Sequence, residues 1–456
     1  MRSPMKHDVF YHIYPLGACG APEINDFQSP AGTGIKTLGR SIPRLKKLGI
    51  TALYVGPLFE STAHGYDTLD YFWVDRRLGT NDDLRSFVSA CHDNGIKVIL
   101  DAVLNHTGRH FFAFKDLQEK TGASPYASWF KGVDFSRKSP LGDPFAYEGW
   151  SGHFDLAKLN TENEAVRDHL FKAVRHWIES FNIDGLRLDA ADVLSPSFMD
   201  SLSSFARKLK PEFWLMGEVV HGDYRDWARE GRLDSVTNFE MYKGLWSSFN
   251  DRNFFEIAWT LNRQFGEEGL YRNLDLYNFA DNHDVNRVAS TLRSKSHLFP
   301  LYGLLFTVPG IPSLYYGSEW AREGTRTATS DRALRPAIDL TASPREGSMG
   351  SDLERAIARF IEIRKDTQAL REGRYRQLHV ESEQFAFMRE VEGVHAGGTK
   401  AIVAVNASER DKTISVKGIP DGTWLDALDG NKPFMARNGA MDIPLTPSWL
   451  RILIKQ

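Results

Sequence analysis

IKVILDAVLNH (residues 96–106) is a short run of β-forming residues that ends in polar side chains. Seven more runs of this kind occur before residue 320, and amphipathic segments separate them. Strands that alternate with helices are typical of parallel βα units, and eight such units predict an α/β fold of the (β/α)8 barrel type. The other runs are VFYHIYPL (9–16), TALYVGPL (51–58), IDGLRLDAA (183–191), FWLMGEVV (213–220), SVTNFE (235–240), LDLYNFADNHD (274–284) and IPSLYYGSE (311–319).

Helical spacing is clearest in the segment before IDGLRLDAA. We expect Asn160 and Thr161 to open a long helix there, because their side chains suit a helix N-terminus. Its apolar residues recur every three or four positions, so one face would cover the barrel. These residues are Val166, Leu170, Val174, Trp177, Ile178 and Phe181.

Two regions depart from the alternation. Residues 107–160 are rich in Gly, Pro, Ser and aromatic residues and are far longer than a usual βα loop, which predicts a lid-like domain inserted after the third strand. A final helix is expected at 352–370, and the alternating runs beyond it predict a C-terminal antiparallel β-sandwich. The expected division is 1–106 and 161–371 for the barrel, 107–160 for the insertion and 372–456 for the β domain.

Composition limits the partners. The chain has 456 residues, with 56 Lys and Arg against 59 Asp and Glu, so its formal net charge is −3. A charge this small provides no field that would attract a polyanion, and we expect no nucleic acid partner. No apolar run approaches the roughly 18 residues of a membrane helix, so no membrane partner is expected either. The oligomeric state is open, and a homodimer is one candidate.

Two features favour the cytoplasm. The N-terminal stretch MRSPMKHDVFYHIYP lacks the apolar core and cleavage site of a secretory signal. Only Cys19 and Cys91 are present, too few for a disulfide framework. We therefore expect a cytoplasmic protein whose two cysteines are ordinary thiols.

Four acidic residues are expected at one rim of the barrel. Asp101, Asp189, Glu218 and Asp284 each lie at the C-terminal end of a different strand-like run. Barrel enzymes draw their catalytic groups from that rim. A single acid in such a position is more often a helix cap or a surface charge, but four together indicate an active site.

Four short motifs surround these acids: DAVLNH, DGLRLDAAD, MGEVVH and FADNHD. In this order they resemble the four blocks that characterise the α-amylase family of glycoside hydrolases. HIYP near the start, HGYDTLDYF at 64–72 and GIPSLYYGSE near the end of the barrel extend the resemblance over most of the chain. The resemblance implies the same barrel, insertion and β domain that the pattern predicts.

The resemblance also implies a role for each candidate residue. Asp189 is the expected nucleophile, Glu218 the general acid/base, and Asp284 the carboxylate that stabilises an oxocarbenium-like transition state. The expected substrate-binding residues are Tyr66, which would stack beneath the reacting sugar, with His106, Arg187 and His283.

The chemistry explains why these residue types are required. Cleavage with retention needs one ionised carboxylate to attack the anomeric carbon and one protonated carboxyl to protonate the leaving oxygen, ~5–5.5 Å apart. Burial and a neighbouring anion would keep Glu218 protonated. Arg187 lies two residues before Asp189, on the same strand face, and would hold Asp189 ionised. Asp101 is expected to support Arg187 and the rim.

A few positions indicate substrate preference. SGHFDLAKLN and MGEVVH resemble sequences of the neopullulanase and cyclomaltodextrinase branch, but Val220 stands where that branch usually has Trp. Exo-acting α-glucosidases of the family tend to carry an Asp where this chain has Ala63, so endo-type or ring-opening action is favoured. Candidates for stacking on sugars in the insertion are Trp129, Phe130, Tyr147 and Trp150.

No cofactor is expected, and a structural calcium ion is left open. Many α-amylases carry a Lys-His pair shortly after the nucleophile, where the His backbone helps to hold calcium, but this chain has Asp192 and Val193 there. Asn105 remains, yet Ca²⁺ takes about 6–8 oxygen ligands and the spacing shows no such cluster. No EF-hand loop and no His/Cys zinc pattern occurs.

The expected function is hydrolysis of α-glucosidic bonds in a short maltooligosaccharide or a cyclic α-glucan by double displacement. A transglycosylase or a trehalose-forming isomerase of the same family is the main alternative, because it shares the first covalent step. A non-catalytic carbohydrate-binding protein on the same scaffold is disfavoured, since such proteins commonly lack one of the three acids.

Overall fold

Strands alternate with helices up to residue 372, and antiparallel strands follow. The computed structural model describes residues 4–391, 393 and 398–456. The strands of the first region are β1 Phe10–Ile13, β2 Ala52–Val55, β3 Phe59–Ser61, β4 Thr68–Val74, β5 Lys97–Ala102, β6 His106–Gly108, β7 Gly149–Trp150, β8 His153–Lys158, β9 Gly185–Leu188, β10 Trp214–Gly217, β11 Ser235–Val236, β12 Tyr277–Phe279 and β13 Ile311–Tyr315. The later strands are β14 Arg374–Val380, β15 Gln384–Glu390, β16 Lys400–Asn406, β17 Lys412–Lys417, β18 Gly422–Asp426, β19 Lys432–Ala436, β20 Ala440–Leu445 and β21 Trp449–Lys455.

Helices connect most of the parallel strands. Over the described residues, no helix is both long enough and apolar enough to cross a membrane. The helices are α1 Pro15–Ala18, α2 Gly34–Gly39, α3 Ile42–Leu48, α4 Asn81–Asp93, α5 Phe112–Lys120, α6 Glu164–Phe181, α7 Pro196–Leu209, α8 Phe239–Asn250, α9 Phe254–Phe265, α10 Val288–Thr291, α11 Leu298–Thr307, α12 Met349–Asp366 and α13 Gln368–Glu372.

Eight strands pair in parallel and close into a barrel, which confirms the predicted fold. Their order is β11-β10-β9-β5-β2-β1-β13-β12. A parallel bridge between Thr237 and Tyr277 joins the two ends of this sheet, and the Asn238 N–H donates to the Tyr277 carbonyl at 2.9 Å. Because the strands are parallel, the segments that follow β5, β9, β10 and β12 all reach the same rim.

Two barrel strands are shorter than their apolar runs. β11 ends at Val236, because the Asn238 side chain accepts a hydrogen bond from the Met241 N–H and caps α8 instead. β12 ends at Phe279, so Asp284 lies in the loop beyond the strand rather than at its last residue.

Helix α6 covers the barrel with the predicted apolar face, all six residues of which are buried. It begins at Glu164 rather than at residues 160–161, because the Asn163 side chain accepts hydrogen bonds from two N–H groups of the first turn. Trp177 lies at the centre of the face, where its ring stacks on Phe59 with the centroids 4.4 Å apart.

The segment after β5 contains helix α5 and a three-stranded sheet in the order β6-β8-β7. Aromatic residues form its interior: the ring of Phe114 packs edge-on against Phe130 at 5.1 Å and Tyr147 at 4.9 Å. Arg109 donates two hydrogen bonds, 2.8 and 2.7 Å long, to the Asp143 carboxylate. These aromatic residues belong to a buried cluster that is continuous with the core of the barrel, so the segment is packed firmly on the rim.

The antiparallel region has a six-stranded sheet in the order β14-β15-β16-β21-β18-β19 and a separate pair, β17 with β20. A buried cluster that includes Ile402, Ile414, Trp424 and Leu453 lies between them. Apolar alternation predicts β15, β16, β17 and β21. The remaining four strands carry mixed sequences and are evident only in the structure.

The helix predicted at 352–370 is two helices, α12 and α13, separated by Thr367. Arg364 near the end of α12 is buried and donates to the carbonyls of Phe306 at 3.0 Å, Leu370 at 3.0 Å and Gly310 at 2.6 Å. The C-terminal carbonyls of a helix lack intrahelical partners and carry a partial negative charge. A buried cation therefore stabilises the end of α11 and fixes α12 against it.

A second buried arginine links the β region to the same helix end. Arg389 of β15 donates to the Thr307 carbonyl at 2.6 Å and to the Gly373 carbonyl at 2.9 Å. Burial lowers the pKa of Arg389, and the nearby Arg364 lowers it further. Two desolvated cations at one helix terminus hold the barrel and the antiparallel sheet together.

We predict that Arg364→Ala lowers the free energy of unfolding by about 2–4 kcal/mol, because it leaves several buried carbonyls without a donor. Urea denaturation measures the change. Arg355→Ala is the matched control, since Arg355 lies on the exposed side of the same helix. Equal unfolding free energies for the two variants would show that the carbonyl contacts contribute nothing.

Candidate active site

A cleft of about 940 Å³ opens at the rim of the barrel. Asp189 and Glu218 each follow directly after a strand, β9 and β10, so their side chains reach the cleft from neighbouring positions. Asp284 lies in the loop after β12. The Asp284 N–H donates a 2.8 Å hydrogen bond to the Asn282 side chain, and this bond fixes the shape of the loop. The structure brings together all seven predicted residues: Tyr66, His106, Asp189, Glu218 and Asp284 line the cleft, and Arg187 and His283 lie against them.

Arg187 is the centre of this arrangement. Its side chain is 3% exposed, and Nη1 lies 2.8 Å from Asp101 Oδ1 and 2.8 Å from Asp189 Oδ1. Nη2 lies 2.9 Å from Glu218 Oε2. One guanidinium therefore faces three carboxyl groups, and it cannot neutralise all of them if they are ionised.

The excess of carboxyl groups over guanidinium groups affects the pKa values of both Asp189 and Glu218. Burial raises the pKa of Asp189 well above its usual range; Arg187 opposes the rise, while the carboxylates of Glu218 and Asp101 add to it. Burial also raises the pKa of Glu218. Arg187 lowers this pKa, whereas the Asp284 carboxylate raises it further. Arg187 lowers the pKa of Asp189, as expected, but burial and the neighbouring carboxylates outweigh its effect. Both shifts favour the protonated form, so the pair binds a proton more readily than two free carboxyl groups do.

Asp284 has the opposite environment. Burial alone would raise its pKa, but His283 Nε2 lies 2.9 Å from Oδ2 and Arg335 Nη2 lies 2.9 Å from Oδ1. His283, Arg335 and the more distant Arg187 together lower the pKa of Asp284 well below its usual range. The cleft thus holds one carboxylate whose pKa is lowered beside a pair whose pKa values are raised.

Asp101 supports the other groups, in agreement with the sequence-based expectation. Its carboxylate is fully buried and accepts hydrogen bonds from Tyr54 Oη at 2.7 Å and Tyr66 Oη at 3.0 Å, besides the one from Arg187. Tyr66 Oη also contacts His283 Nε2, and the two rings stack with centroids 5.5 Å apart. These contacts fix the orientation of the Tyr66 ring at the edge of the cleft.

His106 presents an unsatisfied polar atom to the cleft. The Asn105 amide lies 3.2 Å from Nδ1, whereas Nε2 has no hydrogen-bond partner in the described part of the chain and lies 3.8 Å from Asp189 Oδ2. Burial lowers the pKa of His106 to about 3, and the neighbouring His64 contributes. A neutral imidazole beside a candidate nucleophile suits contact with an uncharged hydroxyl group.

Only one of the four predicted stacking residues of the insertion reaches the cleft. Trp129, Phe130 and Tyr147 are buried in the core of the insertion, because they pack with α5. Trp150 lines the cleft, and its ring stacks on His153 at 5.8 Å across the β7–β8 hairpin. Val220 and Ala63, the two positions expected to influence substrate preference, also line the cleft.

Sequence reasoning missed Arg335 and Tyr14. Arg335 lies in the long loop after β13, where no periodic pattern or motif marks a site, and it reaches Asp284 only through the fold. Its guanidinium lies 4.6 Å from the centre of the Tyr14 ring, and both line the cleft. Tyr14 belongs to the HIYP motif, so its position near the start of the barrel was the one available signal.

No three His, Cys, Asp or Glu side chains within residues 4–391, 393 and 398–456 are placed to hold a metal ion. Asn105, the remaining candidate for a calcium site, directs its amide to His106. The polar groups at the centre of the cleft include carboxyl, imidazole and guanidinium side chains, which suit acid/base and covalent chemistry on a polyhydroxylated ligand.

Residues 34–366 match the α-amylase catalytic domain, a span that contains the seven predicted site residues and Arg335. The chain belongs to the α-amylase family. It is 32% identical to a cyclomaltodextrinase of Thermoanaerobacter pseudethanolicus, over 95% of this chain and 76% of that protein. It is 30% identical to neopullulanase 2 of Thermoactinomyces vulgaris, over 97% of this chain and 76% of that protein.

Solved structures agree with this assignment. The α-amylase fold of this chain superposes with a TM-score of 0.82 on the cyclic α-maltosyl-(1→6)-maltose hydrolase of Arthrobacter globiformis in complex with cyclic α-maltosyl-(1→6)-maltose. The two are 25% identical, and the match covers 100% of each chain. The predicted resemblance to the neopullulanase and cyclomaltodextrinase branch is therefore confirmed.

We predict that His106 stays neutral between pH 5 and pH 8, because burial holds its pKa at about 3. Nitrogen-15 histidine NMR over this range measures the ring directly, and His106→Gln identifies its signals. Titration of the His106 ring near pH 6 would contradict the burial that the structure shows.

Proposed function

We propose that this protein is a retaining glycoside hydrolase that cleaves α-glucosidic bonds in short or cyclic maltooligosaccharides. The observation that carries the proposal is the single guanidinium of Arg187 between Asp189 and Glu218, in a buried site that raises the pKa of both carboxyl groups. Double displacement requires one nucleophilic carboxylate and one proton donor in the same site. The cyclomaltodextrinase and neopullulanase relatives support the choice of substrate class.

The contacts select the reacting atoms. Asp189 Oδ1 accepts a hydrogen bond from Arg187, so Oδ2 is the oxygen that attacks the anomeric carbon. Glu218 Oε2 accepts from Arg187 and from the Ala190 N–H at 3.1 Å, so Oε1 carries the proton that passes to the leaving oxygen. A bond forms between Asp189 and the sugar while the glycosidic bond breaks and the leaving hydroxyl takes the proton.

The second step reverses the roles. Once Asp189 is esterified it bears no charge, and the loss of that neighbouring anion lowers the pKa of Glu218. Glu218 is then an ionised base that takes a proton from water as the water attacks the anomeric carbon. The ester bond to Asp189 breaks, and the configuration of the starting bond is restored.

Asp284 stabilises the positively charged ring between these steps. Its carboxylate is kept ionised by His283 and Arg335, and a fixed negative charge is most favourable when the ring is oxocarbenium-like. His106 Nε2 would hydrogen-bond a hydroxyl of the same sugar, and the Tyr66 ring would pack beneath it. These groups bind the transition state more tightly than the ground state.

The loop after β5 roofs the cleft in this proposal. Trp150 and His153 come from its hairpin and provide an aromatic surface for sugars on the side away from the barrel. A roof of this kind admits short or compact chains more readily than long branched ones. The cytoplasmic location and the homodimer stay predictions.

We expect Asp189→Ala to abolish turnover of both maltotetraose and α-maltosyl fluoride, because it removes the nucleophile. Glu218→Gln should abolish turnover of maltotetraose yet still react with α-maltosyl fluoride, whose leaving group needs no proton. Burst kinetics and mass spectrometry of the glycosylated enzyme measure the two outcomes. Wild-type rates on maltotetraose in either variant would contradict the assignment.

The matched control is Glu212→Gln, the same substitution just before β10 at the opposite end of the barrel from Glu218. It should keep full activity. Melting temperatures close to that of the wild type in all three variants show that the losses are chemical rather than structural.

We expect kcat/KM to be higher on a cyclic or short linear α-glucan than on soluble starch, because entry of a long branched chain into the roofed cleft costs binding free energy. Initial rates on starch, maltotetraose, β-cyclodextrin and cyclic α-maltosyl-(1→6)-maltose measure the order. Val220→Trp tests the choice between the two rings, because a Trp at this position of the cleft lining would narrow the side next to Glu218.

Starch as the best substrate, or release of single glucose units from a non-reducing end, would contradict this ranking. Product analysis in the same experiment separates hydrolysis from transfer. Predominant transfer products would instead assign the protein to the transglycosylases of the family.

A further inference from the structure

Two neighbouring loops meet at one end of the cleft. The loop after β1 carries Glu23, and the loop after β13 carries Arg332; both residues line the cleft. Glu23 Oε1 lies 2.7 Å from Arg332 Nη1, although the two side chains are 67% and 80% exposed. The ion pair bridges two loops at the surface, and deeper in the fold the Ile338 N–H donates to the Ala18 carbonyl at 3.2 Å between the same two loops.

The barrel order places this ion pair on the far side of the cleft from the proton donor. Glu218 follows β10, and β1 is four strands from β10 in either direction around the barrel. The proton donor lies on the side of the leaving group, so the loop after β1 lies at the glycone end. Arg335, three residues after Arg332, contacts Asp284 and leads from the reacting centre to this end.

The backbone on the Glu23 side is firmly anchored. Arg77 Nη1 donates to the carbonyls of Pro22 at 3.0 Å and Glu23 at 3.2 Å, and also to that of Ala63 at 2.7 Å. The buried Asp75 carboxylate holds Arg77 at 2.7 Å. The main chain next to Glu23 is thus fixed to the turn between β3 and β4, and the Glu23 side chain projects from it.

The Arg332 side has a comparable support. Arg332 opens a short 3₁₀ turn that ends at Leu334. The Leu334 carbonyl accepts hydrogen bonds from Arg287 Nε at 3.1 Å and from Tyr315 Oη at 3.1 Å, both of them buried. Both backbones are therefore anchored, and the exposed side chains of Glu23 and Arg332 form a barrier between them, called the wall below. The wall opens when the two side chains separate.

We propose that Glu23 and Arg332 close the glycone end of the cleft and thereby limit how many glucose units bind on that side. This inference rests on the proposed function and adds the element that sets product length. A short substrate chain does not extend as far as the Glu23–Arg332 pair, and a cyclic substrate of few glucose units turns away from it. A long linear chain reaches past it only after the ion pair has opened.

The size of the effect follows from the exposure of the pair. An exposed ion pair raises the ratio of closed to open states about two- to fivefold, and salt weakens this preference. Because a long chain uses only the open fraction, its kcat/KM is reduced by the same factor relative to a short chain.

The test compares Glu23→Gln, Arg332→Gln and the double variant with the wild type. The measured quantity is the ratio of kcat/KM on soluble starch to kcat/KM on maltotetraose. We expect this ratio to rise about two- to fivefold in each single variant, and no further in the double variant, because both changes remove one contact. Linear products should become longer. Glu179→Gln, which breaks the exposed Arg175–Glu179 pair on α6, is the matched control and should leave the ratio unchanged.

Salt provides an internal check. At 1 M NaCl the screening length is about 3 Å, so the wild-type ratio should approach that of the variants, and the ratio of the double variant should stay constant. The proposal would be wrong if the starch-to-maltotetraose ratio of kcat/KM were equal in the wild type and both single variants. It would also be wrong if the effects of the two substitutions added in the double variant.

Binding distinguishes this inference from the proposed function. Calorimetry with Glu218→Gln, alone and combined with Glu23→Gln, gives the ratio of Kd values for a ten-unit and a four-unit maltooligosaccharide. A shift in that ratio supports the wall even if the wild type hydrolyses neither sugar, which would refute the proposed function. Active enzyme without such a shift refutes the wall alone.

Discussion

The site depends on the charge of Arg187, a buried guanidinium that faces the carboxyl groups of Asp101, Asp189 and Glu218. Without it, three acids would be desolvated side by side with no cation among them. With it, one positive charge is still too little for all three, and the pKa values of Asp189 and Glu218 are raised. Raised pKa values favour a proton donor next to a carboxylate oxygen.

The fourth carboxylate, Asp284, completes the division of charge. Its direct partners are His283 and Arg335, and the more distant Arg187 adds to their effect. The cleft therefore combines one carboxylate whose pKa is lowered with a pair whose pKa values are raised, and retaining cleavage requires both an ionised and a protonated carboxyl group. Rigid parallel strands supply Asp189 and Glu218, whereas a folded loop supplies Asp284.

The loops around this centre act at longer range. The hairpin that carries Trp150 covers the cleft, and the ion pair of Glu23 with Arg332 joins two loops at one end of it. In the described part of the chain, Trp150, Glu23 and Arg332 make no hydrogen bond or ion pair with the acids around Arg187, so changes in these loops alter which chains fit without altering the reacting groups. The barrel fixes the chemistry and the loops adjust the shape of the substrate.

The sequence by itself determined the barrel, the insertion, the antiparallel sheet and the seven residues of the reacting centre, because β-runs, helical spacing and short motifs are local properties. It did not determine that Arg187 serves three acids, that Asp189 is raised in pKa, or that three aromatic residues of the insertion are buried. It also missed Arg335 and the partner of Glu23. Those features depend on which loops meet and how much water they exclude, and distant segments acquire these properties only when the tertiary structure brings them together.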